Sequence, residues 1–137
     1  MHAKPVVELK DRVRNILSRS NGRSTGQRIL ALNRLTTGWV NYFALADMKY
    51  LAKELDEWMR RRLRMCIWKQ WRKISTRHDY LVKLGLDNSK AWVFANTRKG
   101  YWRISRSPIL NRTLTNDYLT RLGVVSLTKR YSIARSS

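Results

Sequence analysis

The chain has 137 residues, which suits one domain with an appended segment, and its 43% hydrophobic content excludes wholesale disorder. With 29 Lys or Arg against 9 Asp or Glu, the formal net charge is +20, large enough to oppose compaction and to attract polyanions. Nucleic acid is the partner class that this basic footprint implies, with an anionic membrane surface as its rival; the short, charge-interrupted apolar runs exclude a membrane span.

The start, MHAKPVVELK, meets charge before any apolar stretch forms, so no secretory signal is expected. Pro5 suits a first helical turn, and Val6, Leu9, Val13, Ile16 and Leu17 keep helical spacing through about Ser18. Asn21-Gly22 is the expected stop. The opposite face mixes Arg12, Arg14 and Arg19 with Glu8 and Asp11, which fits a solvated face as well as nucleic-acid contact. Ser24 to Gln27 then reads as a capping box opening a second helix. Ile29, Leu30, Leu32, Leu35, Trp39, Tyr42 and Phe43 give that helix its apolar spacing. Gly38 inside it costs about 1 kcal/mol relative to Ala, which implies close approach of another backbone beside the packing anchor Trp39.

The third helix dominates the chain. Asp47 is its expected cap, and its heart is LDEWMRRRLRMCIWKQWRK, Leu55 to Lys73. At about 100° per residue, Leu51, Leu55, Trp58, Met59, Leu63 and Cys66 share one broad apolar sector. Lys53, Arg60, Arg61, Arg64 and Arg72 fall opposite, with Trp68 among them, while Arg62, Lys69 and Lys73 return toward the apolar side. Asp56–Arg60 and Glu57–Arg61 are i,i+4 pairs, but from Arg60 to Lys73 there are seven cations and no acid. A surface helix selected for stability intersperses both signs, so these unneutralised cations imply a polyanionic partner. Cys66 is the single cysteine; an intrachain disulfide and a cysteine-based zinc cluster are excluded, and the thiol is expected to fill core space in a reducing cytoplasm.

Beyond Lys73, Ser75 to His78 reads as a turn. Tyr80, Leu81 and Leu84 form a short helix closed at Gly85, and Asn88 or Ser89 opens another with Trp92, Val93 and Phe94 inside. Thr97 to Arg103 is a basic, aromatic linker. Ser107-Pro108 opens a helix as N-cap and first residue, and Asn116 or Asp117 opens a further one closed at Gly123. Val124 to Tyr131 fits a strand or a final helical turn.

Five blocks in order carry a family resemblance: LNRLTTGWVNYF (Leu32 to Phe43), the Leu55 to Lys73 block, LGL (Leu84 to Leu86), AWVFANTRKGYWRIS (Ala91 to Ser105) and YLTRLGVVSLTKRY (Tyr118 to Tyr131). Together they resemble the maturase-specific, X or thumb, domain of group II intron reverse transcriptases. The resemblance implies an all-α fold: a three-helix thumb-type bundle over 4–73 with a long basic third helix, then a small irregular helical C-terminal region over 74–137. It implies binding of group II intron RNA to stabilise the splicing-active fold. It further implies gripping of template–primer, contact with a DNA target, and packing against the finger and palm region of the same protein. The chain contains no Asp-Asp pair of a polymerase palm, and its two histidines and one cysteine do not support an HNH-type nuclease. It thus looks like a C-terminal fragment that binds rather than catalyses, with no metal or cofactor expected.

Arg60, Arg61, Arg64 and Arg72 are the expected phosphate contacts, with Lys69 and Lys73 at the helix end and Trp68 as a stacking candidate. Arg98, Lys99 and Arg103, beside Tyr101 and Trp102, form a second basic-aromatic group. Lys4, Arg12, Arg19 and Arg23 extend the groove if they share its side. A ribosomal-type RNA-associated protein and a helical DNA-binding module are the competing readings. An independent enzyme finds little support, since His78 is expected in a loop, solvated or facing RNA.

Overall fold

The computed structural model describes residues 3–18, 22–45 and 49–136. Among them it forms nine helices and no strand, as the all-α reading requires. The first three are α1 (Ala3–Ile16), α2 (Thr25–Leu45) and α3 (Lys49–Gln70). On α1, Leu9, Val13 and Leu17 are buried, while Arg12 pairs with Glu8 at 3.1 Å and Arg14 with Asp11 at 2.9 Å on the exposed face. The α2 capping box forms reciprocally: Ser24 N–H donates to Gln27 Oε1 at 2.9 Å, and Gln27 N–H to Ser24 Oγ at 3.2 Å. Asp47, Arg19, Asn21 and the side chains of Lys4 and Phe43 lie outside the described residues.

Gly38 corrects one expectation. It is exposed within α2, and among the described residues no atom lies within 4 Å of the position a β-carbon would take. No backbone approaches it there. Trp39 is half-buried instead by packing on the core and by an edge contact with Tyr42 at 5.5 Å.

Ala52, Leu55, Met59, Leu63 and Cys66 of α3 face the core as their spacing predicts. The burial does not stop at one face: every residue from Leu63 to Trp68 is buried. A helix can be covered all round only if something packs on its charged side too, and here the C-terminal part of the chain, from Ile74 on, does so.

That part comprises α4 (Ile74–Lys83), α5 (Asn88–Ala95), α6 (Tyr101–Ile104), α7 (Pro108–Thr113), α8 (Asn116–Arg121) and α9 (Leu127–Ser136). The turn expected at 75–78 is helical. Its Arg77 and Leu81, one turn apart, are both buried, and Arg77 lies 4.5 Å over the Trp68 ring. Helix α5 contains Trp92, Val93 and Phe94 as expected; Ala91 and Ala95 face inward, whereas Trp92 and Val93 are exposed. The linker residues Tyr101 to Ile104 form the single turn of α6. Local signals fare better: Ser107 caps α7 with Pro108 at its first turn, Thr115 caps α8, and Gly85 and Gly123 end α4 and α8 with φ of 104° and 113°. The 124–131 alternative resolves as helix from Leu127.

Packing runs across the expected division at residue 73. One hydrophobic cluster joins Leu9 and Val13 of α1 to Leu110, Leu119, Leu127 and Tyr131. The last helix lies against α2 and α3, and α6 lies against α3. Two polar clamps fix this return. Asn33 of α2 donates to Gly123 O at 2.8 Å and accepts from Val125 N–H at 3.0 Å. Asp56 of α3 accepts from Leu127 N–H at 2.8 Å, Thr128 N–H at 2.7 Å and Ser126 Oγ at 2.6 Å. A carboxylate from a different helix thus satisfies the open N–H groups at the start of α9.

Candidate nucleic-acid interface

Arginine carries five N–H donors in a planar fork and no acceptor. A fold of many short helices has the complementary surplus, because the last carbonyls of each helix lack helical partners. Several arginines meet carbonyls of this kind. Arg28 Nη2 donates to Ser18 O, just past α1, at 3.0 Å. Arg61 Nη2 donates to Trp102 O in α6 at 3.0 Å. Arg64 Nε donates to Leu114 O, the C-cap of α7, at 2.7 Å, and its Nη2 to Asn116 Oδ1 at 2.7 Å. Arg77 Nη2 donates to Trp68 O in the last turn of α3 at 3.3 Å. Part of the unneutralised charge of α3 is therefore answered by carbonyl dipoles inside the chain.

This corrects the stacking role expected of Trp68 and narrows that of Arg64, two of whose donors are spent inside the fold. Arg64 is only 6% exposed and Trp68 only 1%, so neither stands on an open surface. Trp68 sits between Trp71, at 6.1 Å, and Phe94, at 5.1 Å, with Arg77 over its ring. It is core, not a stacking platform. Arg61 is half-buried; its Nε donates to Ser105 Oγ at 3.1 Å, and its guanidinium lies 3.5 Å from the Trp102 ring centroid. Arg62 lies 5.6 Å from the Trp58 ring and 5.7 Å from the Trp102 ring. Burial, and then the neighbouring Arg106, lower the Arg61 pKa. Burial, and then Arg60, pull Arg64 down to about 10. Arg64 remains charged at neutral pH. Because folding lowers its pKa, holding that charge is a cost that falls away only as pH rises past about 10.

His78 is also not a loop residue. It lies on α4, its ring stacked on Trp92 at 3.8 Å, with Nε2 2.7 Å from Asn88 Oδ1 and Nδ1 3.0 Å from Asp79 Oδ1. Its contacts join α4 to α5.

Most of the remaining predicted residues border three concavities. A cleft of about 630 Å³ is lined by Lys69 and Arg72 together with Arg23, Gln70, Tyr80 and Tyr118. Tyr80 is partly exposed and stacks face to face on Trp71, with centroids 4.5 Å apart and planes at 4°. A smaller pocket of about 290 Å³ is lined by Arg60, Arg61, Arg64 and Arg106 with Glu57, Ser105, Asn111 and Asn116. The third, about 740 Å³, holds Lys99 and Arg103 and shares Arg61 and Arg106 with the second. Helix α8 stands between the first two: Asn116 borders the smaller pocket, and Tyr118 and Leu122 border the cleft. Lys73 and Arg98 are exposed but line none of these three concavities. Arg12, paired with Glu8, does not join them either, whereas Arg23 does.

Arg106, Tyr80 and Tyr118 were missing from the expected set. Arg106 lies one residue from a predicted cap in a stretch without helical periodicity. Tyr80 reads as a core residue of α4 from its spacing to Leu81 and Leu84. Only the three-dimensional return of the chain beyond Ile74 brings them beside α3.

Among the described residues, no group of three or more His, Cys, Asp or Glu side chains could hold a metal, and no helix is long and apolar enough to cross a membrane. Comparison with curated proteins gives no match. Residues 6–85 match the family model described as group II intron, maturase-specific domain; the match runs from α1 to the end of α4, more than half the chain, and so the chain belongs to that family, whose role lies in group II intron splicing.

Proposed function

We propose that this chain binds group II intron RNA along the neighbouring basic concavities and holds the RNA in its splicing-competent fold, as a binding element rather than a catalyst. The observation that carries this reading is the shared wall of the second and third concavities at Arg61 and Arg106, with Arg23, Lys69 and Arg72 lining a separate cleft across α8. Cations lining neighbouring concavities suit a phosphate backbone. Recognition would rest on shape, backbone and 2′-hydroxyl contact, as is general for structured RNA. Tyr80, with one face on Trp71, gives the cleft an aromatic wall suited to a base or sugar. In a polypeptide that also carries fingers and palm, the same surface would lie against template–primer.

The test is a filter-binding salt titration against group II intron RNA, unrelated structured RNA and duplex DNA. Six to ten phosphate contacts predict a loss of about 10³–10⁵ in affinity between roughly 50 and 200 mM salt. Arg72→Glu, on an exposed residue, should weaken binding while leaving the melting temperature close to wild type. A salt slope near zero, or equal affinity for duplex DNA and intron RNA, would refute the reading.

A further inference from the structure

Arg60, Arg61, Arg64 and Arg106 converge on the pocket of about 290 Å³, and Glu57 is the sole carboxylate in its lining. Such a gathering of like charge is unfavourable unless something negative occupies its centre. The nearest internal candidate is already committed. Asp56 lies 4.0 Å from Arg60, but its oxygens accept from Ser126, Leu127 and Thr128 at 2.6–2.8 Å. Two of the guanidinium groups are also held rigidly. Arg61 is clamped by Ser105 and Trp102 O, and Arg64 by Leu114 O and Asn116. Arg64 uses Nε and Nη2 in this way, so its Nη1 is absent from those bonds. Asn116 accepts from Arg64 through Oδ1, which orients its amide as a donor group at the pocket edge. The pocket is a shallow depression open to solvent, with ample room for one phosphate group.

We propose that this pocket is a preformed seat for a single phosphate group, which docks between α3 and the α6–α8 segment and ties the two together. The proposal rests on the RNA-binding reading for the source of the phosphate, a terminal monoester or a backbone diester. The seat itself is defined by the tetrahedral oxyanion alone. Guanidinium forks suit such an ion because they offer paired, charge-assisted N–H donors.

The experiment is thermal unfolding of the full chain in inorganic phosphate and in chloride at matched ionic strength. Wild type, Arg106→Gln and Arg60→Gln would be compared, with Lys53→Gln as a control on the exposed face of α3 outside the pocket. Arg106 and Arg60 are chosen because neither belongs to the hydrophobic core; circular dichroism would confirm that each variant folds. Phosphate should stabilise the wild type saturably and beyond chloride. Arg106→Gln and Arg60→Gln should each raise the apparent Kd for phosphate by about tenfold or more, whereas Lys53→Gln should leave it unchanged. Equal stabilisation by chloride, or an unchanged phosphate Kd in both pocket variants, overturns the seat. RNA carrying a 5′-phosphate that competes with inorganic phosphate better than the same RNA with a 5′-hydroxyl identifies a terminal monoester; equal competition identifies the backbone. Saturable phosphate binding in a chain that fails the RNA salt titration would support the seat and defeat only the functional reading.

Discussion

Asp56 and Arg60 are four apart on α3, the spacing of a helical ion pair, yet their closest approach is only 4.0 Å. The carboxylate turns instead to the first N–H groups of α9, some seventy residues away in the chain. It is only 4% exposed and accepts from the buried Leu127 N–H, which loses its partner when the carboxylate is removed. Asp56→Ala should therefore cost about 2–3 kcal/mol, combining a lost cap with an unsatisfied buried donor. Asp56→Asn should cost less, because the amide oxygen still accepts. Urea unfolding monitored by circular dichroism would measure both. A cost within about 0.5 kcal/mol, as for an ordinary surface substitution, would show that α9 does not depend on this cap. Arg64 teaches the same lesson with the sign reversed. Its charge, its neighbours and its wheel position all resemble a phosphate contact, and its partner is a carbonyl fifty residues away.

At the scale of elements, what was legible in the chain was local. The capping box at Ser24–Gln27, Pro108 after Ser107, and the glycines at the ends of α4 and α8 act within a few residues of themselves. The apolar stripes of α1 and α3 were legible because helical spacing alone builds them. The second coat on α3 was not. A helical wheel assumes one buried face, and nothing near Leu63 to Trp68 announces that α6, α7 and α8 will cover the other. The α4 start was missed for a related reason: Ser75, Thr76 and His78 have weak helix propensity, and buried Arg77 and Leu81 override it. Within the candidate site, Arg60, Arg61, Lys69, Arg72, Lys99 and Arg103 were legible as cations that line concavities, but Arg106 and Tyr80 reach the same surface only through tertiary packing. Gly38 supplies the test at this scale. It sits inside α2 with open space where a side chain would go, so the isolated chain gains nothing from it. Gly38→Ala should stabilise by roughly 0.5–1 kcal/mol through helix propensity and raise the melting temperature by a few degrees. A lower melting temperature would mean that another backbone does press on that turn.

For the molecule as a whole, internal and external uses of positive charge must be separated. Carbonyl-bound arginines are held by short-range hydrogen bonds that salt hardly touches. The surplus of +20 acts through its long-range field, which salt screens over about 8 Å at physiological ionic strength and about 3 Å at 1 M. The two contributions predict opposite responses to one variable. Adding sodium chloride should raise the melting temperature of the free chain, because self-repulsion among exposed cations weakens. The same addition should lower RNA affinity, because the counterions released on binding become harder to release. Measuring both on one preparation, from about 50 mM to about 500 mM chloride, tests the argument without mutation. If most of the charge were neutralised inside the fold, both curves would be flat. If the free chain lost stability as salt rose, its charges would be engaged in favourable surface pairs, and the field that is meant to draw a polyanion onto the concavities would not exist. A rising melting curve beside a falling affinity is the signature of a fold that uses some arginines as helix caps and leaves the rest for a partner.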